Sequence, residues 1–115
     1  MKILVVDDSA KMQKMICEMF GNDSAKEIIP CQDSTQALTY YATYQPNIVL
    51  MDIAMPGVDG ITVTRQIKQL FPDAKILVVT NYNDPHYRQA AGQAGAIGFV
   101  PKDDLLQIRE YIKEL

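Results

Sequence analysis

The sequence predicts an α/β protein organised around a doubly wound sheet of five parallel strands in the order 2-1-3-4-5. Five short apolar runs alternate with five stretches of helical periodicity, which is typical of βαβ units joined by right-handed crossovers. The run at 48–51 is apolar throughout, as expected for a strand covered by helices on both faces. The run that contains Pro30 belongs at the sheet edge, because proline cannot donate to a strand ladder.

The first two βα units begin with Lys2–Val6 and Glu27–Cys31 as strands. After the first strand, apolar residues recur at intervals of three and four, which predicts an amphipathic helix that ends at Gly21. Asp33, with Gln36 three residues later, is typical of the N-terminus of the second helix. The predicted inner faces are Met12, Met15, Ile16, Met19 and Phe20 for the first helix, and Leu38, Tyr41 and Ala42 for the second.

The third unit is the strand at 48–51 followed by a helix that opens at Gly60 and stops at Pro72. Asp52 comes directly after this strand. Ligands of open α/β sheets bind at the carboxyl ends of the strands, so this carboxylate is a candidate site residue. The predicted inner face of the third helix is Val63, Ile67, Leu70 and Phe71.

The fourth unit has Lys75–Val79 as its strand and a helix that starts at Asp84 and Pro85, a typical N-cap followed by proline at the first helical position. The helix stops at Gly95, and its inner face is Tyr87, Ala90, Ala91 and Ala94. Alanine buries little apolar area, so we expect this helix to be held loosely and to be able to shift.

The fifth strand covers Ala96–Pro101 and is interrupted by Gly98. Lys102 follows at its carboxyl end, and Asp103 is predicted to cap the last helix. The inner face of that helix is Leu105, Ile108, Ile112 and Leu115.

Composition places the chain among ordinary globular proteins. Its 115 residues are enough for one domain, 1–115, and its net charge of -3 with scattered basic residues predicts no direct binding to nucleic acid. Cys17 and Cys31 suggest neither a zinc site nor a disulfide framework, and two free thiols favour a cytoplasmic location. No apolar run approaches the roughly 18 residues of a membrane span, so no membrane association is expected.

Three carboxylates converge in the predicted sheet. Asp7 and Asp8 end the first strand and Asp52 ends the third, and these two strands are neighbours at the switch point of the order 2-1-3-4-5. Bare carboxylates repel one another in a small cleft, so the group predicts a hard divalent cation. Mg²⁺ fits, since it is held by one or two carboxylates together with water and phosphate oxygens.

Two further residues reach the same edge. Thr80 and Lys102 end the fourth and fifth strands, and a hydroxyl and an ammonium beside a cation form a site of phosphate size. Asp52 could then act as a nucleophile that forms an aspartyl-phosphate. Each residue alone could equally be a helix cap, a strand end or a solvated lysine. All five at one edge are better explained as a site.

The chain resembles response-regulator receiver domains of two-component signalling over essentially its whole length. The resemblance lies in the motifs at 3–9, 49–60 and 95–102, ILVVDDS, VLMDIAMPGVDG and GAIGFVPK, and it implies a flavodoxin-like (βα)5 fold. By this resemblance Asp52 is the phosphoacceptor, and Asp7, Asp8, Asp52 and the backbone carbonyl of Ala54 are the Mg²⁺ ligands. It likewise makes Thr80 and Lys102 the phosphoryl-binding residues, and Thr80 and Phe99 the switch residues.

The family implies a mechanism in which a histidine kinase presents phosphohistidine and Asp52 attacks in line, while Mg²⁺ and Lys102 neutralise the developing charge. Thr80 then moves toward the phosphoryl group and Phe99 turns inward, which remodels the face formed by helix 4, strand 5 and helix 5. Such a domain catalyses its own phosphorylation and dephosphorylation and turns over no other substrate. The partners implied are the kinase and either a DNA-binding output domain or a second receiver.

Two features depart from the usual family pattern. Asn81 stands where a small residue is usual and would crowd the entrance to Asp52, and Phe99 lacks the hydroxyl of the commoner tyrosine.

The sequence around Asp52 and Lys102 is most similar to that of receivers attached to LuxR-type helix-turn-helix domains. Because the chain ends at Leu115, we expect either a stand-alone receiver or, slightly favoured, an excised fragment.

Other functions remain open on the sequence alone. A haloacid-dehalogenase-type phosphatase would need a second aspartate where Ala54 stands, and a flavodoxin-like redox module would need a phosphate loop after the first strand. The serious alternative is a pseudo-receiver, an interaction module that no longer accepts phosphate. The complete set of acids, threonine and lysine argues against it, whereas Asn81 leaves it open.

Overall fold

The computed structural model describes residues 1–82 and 84–115. Within these residues, five parallel strands form one sheet in the order β2-β1-β3-β4-β5, as predicted. They alternate with five α-helices. The strands are β1 (Lys2–Val6), β2 (Glu27–Cys31), β3 (Ile48–Met51), β4 (Ile76–Thr80) and β5 (Gly98–Pro101), and the helices are α1 (Ala10–Phe20), α2 (Ala37–Tyr44), α3 (Gly60–Leu70), α4 (Pro85–Ala94) and α5 (Leu105–Lys113).

The sheet separates two apolar layers. Every residue of β3 and β4 is buried, because helices cover both of their faces. On one side α1 and α5 contribute Ile16, Phe20 and Ile108, and on the other α2 and α3 contribute Tyr41 and Ile67. β2 lies at the sheet edge, where the missing N–H of Pro30 is tolerated.

Two residues predicted to face inward, one in α2 and one in α3, are exposed instead. Ala42 is exposed and Ala37 is buried instead, because a 3₁₀ turn at Ser34–Gln36 precedes α2 and shifts its phase. Leu70 is 65% exposed. The chain leaves the helix at Phe71, whose ring packs on Tyr41 with centroids 4.9 Å apart. Of these two neighbouring residues, both predicted to face inward, Phe71 packs against the core and Leu70 does not.

The start of α5 also differs from the prediction. Asp104, not Asp103, is the N-cap, and its side chain accepts a hydrogen bond from the N–H of Gln107. A turn in which the N–H of Asp104 donates to the carbonyl of Pro101 places Asp103 outside the helix. Leu115 lies beyond the helix end and is 39% exposed.

Helix α4 matches its prediction. Asp84 caps it, Pro85 stands in its first turn, and Gly95 ends it in a left-handed conformation. Only Ala91 and Ala94 are fully buried on its inner face. In the described part of the chain, no helix has the length and apolarity needed to cross a membrane.

Candidate functional site at the carboxyl edge of the sheet

Backbone hydrogen bonds fix two of the acidic residues just beyond their strands. The N–H of Asp7 donates to the carbonyl of Cys31 at 3.0 Å, and the N–H of Asp52 donates to the carbonyl of Val6 at 3.0 Å. Each bond extends the strand ladder by one residue. Both carboxylates are therefore held by the sheet itself, and the side chain of each is 3% exposed.

Lys102 joins these two acids. Its Nζ lies 2.9 Å from Oδ2 of Asp7 and 3.0 Å from Oδ2 of Asp52, and its side chain is 16% exposed. Its backbone N–H donates to the carbonyl of Thr80 at 3.1 Å, so the lysine is anchored to the end of β4 as well. The site thus links the ends of β1, β3, β4 and β5.

The charges at the site do not balance. Burial raises the pKa of Asp7, and the nearby Asp52 adds to this effect, although hydrogen bonds from Lys102 and Ser9 oppose it. Burial alone would lower the pKa of Lys102, but its hydrogen bonds to Asp7 and Asp52 outweigh burial and raise it. The lysine is firmly protonated and the acids are in excess, so the site favours an additional cation.

The residues fit a hard divalent metal. One carboxylate oxygen from each of Asp7, Asp8 and Asp52 lies within 4.8 Å of the others. Oδ1 of Asp52 is buried and has no hydrogen-bond partner among the described residues. A buried anionic oxygen without a partner is costly, and a cation would relieve that cost. Asp8 is exposed, which leaves one side of the cluster open to solvent.

Thr80 and Ala54 lie on the side of the site that faces α4. Thr80 is fully buried, and its Oγ1 accepts a hydrogen bond from the N–H of Tyr82 at 3.2 Å. Ala54 is exposed in the loop after β3. With Tyr82 and Tyr87 it lines a cleft of about 550 Å³. Asn81 is exposed and lines a separate cleft of about 220 Å³ with Lys102.

Phe99 is buried beneath α4. It belongs to a small cluster with Val78, Ala91 and Ala94, and it is 7% exposed. Arg88 lies over its ring, with Cζ 4.9 Å from the centroid, which is a cation–π distance. The ring is turned inward in this structure.

Sequence reasoning missed three residues that shape the site. Gln13 is buried and donates to carbonyls at the ends of β1 and β2. The hydroxyl of Ser34 bridges Pro56 and Val58 in the loop after Asp52. A Cβ on Gly60 would lie 1.8 Å from the carbonyl oxygen of Asp52. Gly60 was identified only as the start of α3, and the roles of Gln13 and Ser34 depend on contacts between elements that no local pattern records.

The family model for the response regulator receiver domain matches residues 3–113. The chain belongs to the response regulator receiver domain family. Receiver domains of this family act in phosphorylation-dependent two-component signalling and bind Mg²⁺ at an acidic pocket.

Relatives of this receiver include proteins of two lengths. It is 35% identical to the chemotaxis protein CheY of Bacillus subtilis over 101 residues, which are 88% of this chain and 84% of that protein. It is also 35% identical to the uncharacterised transcriptional regulatory protein YhcZ of Bacillus subtilis, over 90% of this chain and 49% of the regulator. The receiver therefore spans about half the length of that regulator.

A solved structure agrees with this relationship. A two-component response regulator of the LuxR family from an Aurantimonas species superposes with a TM-score of 0.86 at 30% identity, over 96% of this chain and 83% of that one. The predicted resemblance to response-regulator receivers, including those of the LuxR group, is confirmed.

Proposed function

We propose that Asp52 accepts a phosphoryl group from the phosphohistidine of a histidine kinase, in a Mg²⁺-dependent reaction, and that the modified receiver remodels its α4-β5-α5 face. The observation that carries this proposal is the pair of contacts from Lys102 to Asp7 and Asp52, with Asp8 beside them. That arrangement supports the proposal, because a carboxylate, a lysine ammonium and two further acids lie close together at one point.

Asp7, Asp8, Asp52 and the backbone carbonyl of Ala54 would hold the metal. When bound, Mg²⁺ supplies positive charge for the phosphoryl oxygens. Lys102 supplies a second positive charge, and it stays protonated because the two acids raise its pKa. The chain's own contribution is therefore position and charge, which is how phosphoryl transfer is mostly catalysed.

In the reaction, a carboxylate oxygen of Asp52 forms a bond to phosphorus while the bond from phosphorus to the histidine nitrogen breaks. The bonding electron pair stays on the imidazole, which leaves as a neutral ring when its other nitrogen carries a proton. The ammonium group of Lys102 must weaken its contact with Oδ2 of Asp52 and move toward the incoming phosphoryl oxygens. Its contact with Asp7 keeps it within reach while it does so.

The response would travel through Thr80 and Phe99. The Thr80 hydroxyl now accepts from Tyr82 in the loop that leads to α4, so its engagement with a phosphoryl group would change that loop. Phe99 belongs to the same apolar cluster as Ala91 and Ala94 of α4 and would transmit the shift to that helix. The related transcriptional regulators are about twice as long as this chain, which supports control of a DNA-binding output domain or a paired receiver as the outcome.

Intact mass spectrometry after incubation with acetyl phosphate tests the proposal. We expect the wild type to gain one phosphoryl group when Mg²⁺ is present and none when Mg²⁺ is removed with EDTA. Asp52→Asn should gain none, because the amide is not a nucleophile for phosphorus. Asp59→Asn is the matched control, since Asp59 caps α3 through its hydrogen bonds with Thr62, is not one of the three clustered acids, and can be replaced as a helix cap by asparagine.

The same samples give a second readout. Mg²⁺ should raise the unfolding temperature of the wild type, because it binds only the folded protein, and should raise that of Asp8→Asn much less. No phosphoryl gain in a folded wild type would overturn the proposal and favour a pseudo-receiver that acts by binding alone.

A further inference from the structure

Gln13 stands out on the inner face of α1 because it is a polar residue buried among apolar ones. It is 7% exposed, and its Oε1 is buried without a hydrogen-bond partner among the described residues. A buried amide that is only half satisfied costs free energy, which a methionine of similar size would not. The amide nitrogen Nε2 must therefore make hydrogen bonds that an apolar side chain could not make.

Nε2 of Gln13 lies at the meeting point of two strand ends. It is 2.8 Å from the carbonyl oxygen of Val5, 3.0 Å from that of Asp7 and 3.4 Å from that of Cys31. The Cys31 carbonyl also accepts from the N–H of Asp7. One side-chain amide thus ties the last peptides of β1 to the end of β2.

The contact with Asp7 matters most. The carbonyl of Asp7 belongs to the peptide that joins Asp7 to Asp8, so Gln13 fixes the plane of that peptide. The carboxylate of Asp7 is also held by the N–H of Ser9 at 2.9 Å and by Lys102. Asp8 is exposed and its direction depends on the backbone. Gln13 therefore restrains the peptide that leads into Asp8.

We propose that Gln13 is a positioning residue that orients the Asp7-Asp8 pair and thereby sets the Mg²⁺ affinity of the receiver. This inference rests on the proposed function, since it needs the acidic pair to bind the metal. The hydrogen bonds of Gln13 go to the backbone carbonyls of Val5, Asp7 and Cys31, so we assign it a role in metal binding and not in attack on phosphorus. Groups that orient metal ligands typically affect affinity by about 10- to 100-fold when they are removed.

The test measures the Mg²⁺ dissociation constant by isothermal titration calorimetry for the wild type and for Gln13→Met, which keeps the size of the side chain and removes the donor. We expect about tenfold weaker binding. Ile112→Val is the matched control, because Ile112 is buried in α5 in the same apolar layer but is not part of the acidic cluster. It should lose some stability and keep the wild-type Mg²⁺ affinity. Gln13→Ala replaces Gln13→Met if the latter does not fold.

Phosphorylation with acetyl phosphate separates positioning from a general structural role. At saturating Mg²⁺, Gln13→Met should be phosphorylated at a rate within about threefold of the wild type, because only the affinity has changed. A rate loss that saturating Mg²⁺ does not restore would overturn the inference. So would an unchanged dissociation constant in a wild type that binds Mg²⁺. A wild type that binds no Mg²⁺ would overturn the proposed function and this inference together.

Discussion

Helices α1 and α4 both begin at the edge of the sheet that carries Asp52, yet they are held in different ways. On α1 the large residues Met12, Ile16 and Phe20 are buried, and Gln13 ties the helix to the strand ends. On α4 only Ala91 and Ala94 are fully buried. The area that each helix removes from water differs accordingly.

This difference divides the site into two halves. Asp7 and Asp52 belong to a fixed half, because sheet hydrogen bonds and the α1 side hold them. Thr80 and Phe99 belong to the other half, which we expect to be mobile because the buried residues of the helix above them are alanines. A signalling switch needs a structural element that can occupy two positions, next to reactive residues that stay in place.

The largest effect that we expect is on the fixed half, at Gly60. A Cβ at this position would meet the backbone oxygen of Asp52 at 1.8 Å, and neither backbone can give way without moving the site. Gly60→Ala should cost about 3 kcal/mol or more in unfolding free energy, at or above the upper end of the usual cost of overpacking. Urea denaturation measures this, and a loss below about 1 kcal/mol would mean that the loop around Asp52 is not fixed.

Truncation of the two helices should show the next largest difference. Ile16→Ala should cost about 2–5 kcal/mol, because Ile16 is fully buried on α1. Tyr87→Ala on α4 should cost only about 1 kcal/mol, since this ring is half-buried. Urea denaturation of both variants checks the comparison, and equal losses would contradict it.

In the fixed half, the buried charge of Asp7 should also lower the free energy of unfolding. Burial raises the pKa of Asp7 in the folded protein, so ionisation of Asp7 destabilises the fold. The wild type therefore loses stability as the pH rises from the pKa of Asp7 in the unfolded chain through its pKa in the folded protein. Asp7→Asn should therefore be more stable than the wild type at pH 7, in the absence of Mg²⁺. The gain should disappear below the ordinary aspartate pKa of about 3.9. Thermal unfolding at several pH values measures it, and a less stable variant at pH 7 would contradict the excess of negative charge.

The smallest effect is expected on α4, at Gly92. Here a Cβ would meet nothing within 4 Å, so alanine adds only helix propensity. Gly92→Ala should stabilise the protein by about 0.5–1 kcal/mol, opposite in sign to Gly60→Ala. Slower hydrogen exchange in α4 alone would accompany the gain. Destabilisation by this substitution would show that α4 is more tightly packed than its alanines indicate.

Much of this division could be predicted from the sequence. The strand order followed from Pro30 and the apolar runs, and the small size of the residues that α4 buries followed from its alanines. The structure also brings together Asp7, Asp8, Asp52 and Lys102, whose roles remain proposals.

The rest depended on geometry that no local pattern records. The exposure of Leu70 follows from the bend at Phe71, and the cap at Asp104 from a turn that starts at Pro101. The donor role of Gln13 needs two strand ends and one helix to meet at a single nitrogen.

Hydrogen exchange of the folded protein, followed amide by amide before and after phosphorylation, tests the division most directly. We predict that interior amides of α4, such as those of Ala91 and Ala94, open with a lower free energy than that of Ile16 in α1, and that phosphorylation changes exchange mainly in β4, α4 and β5. Exchange in α4 as slow as in α1, or a phosphorylation effect centred on α1, would contradict the account.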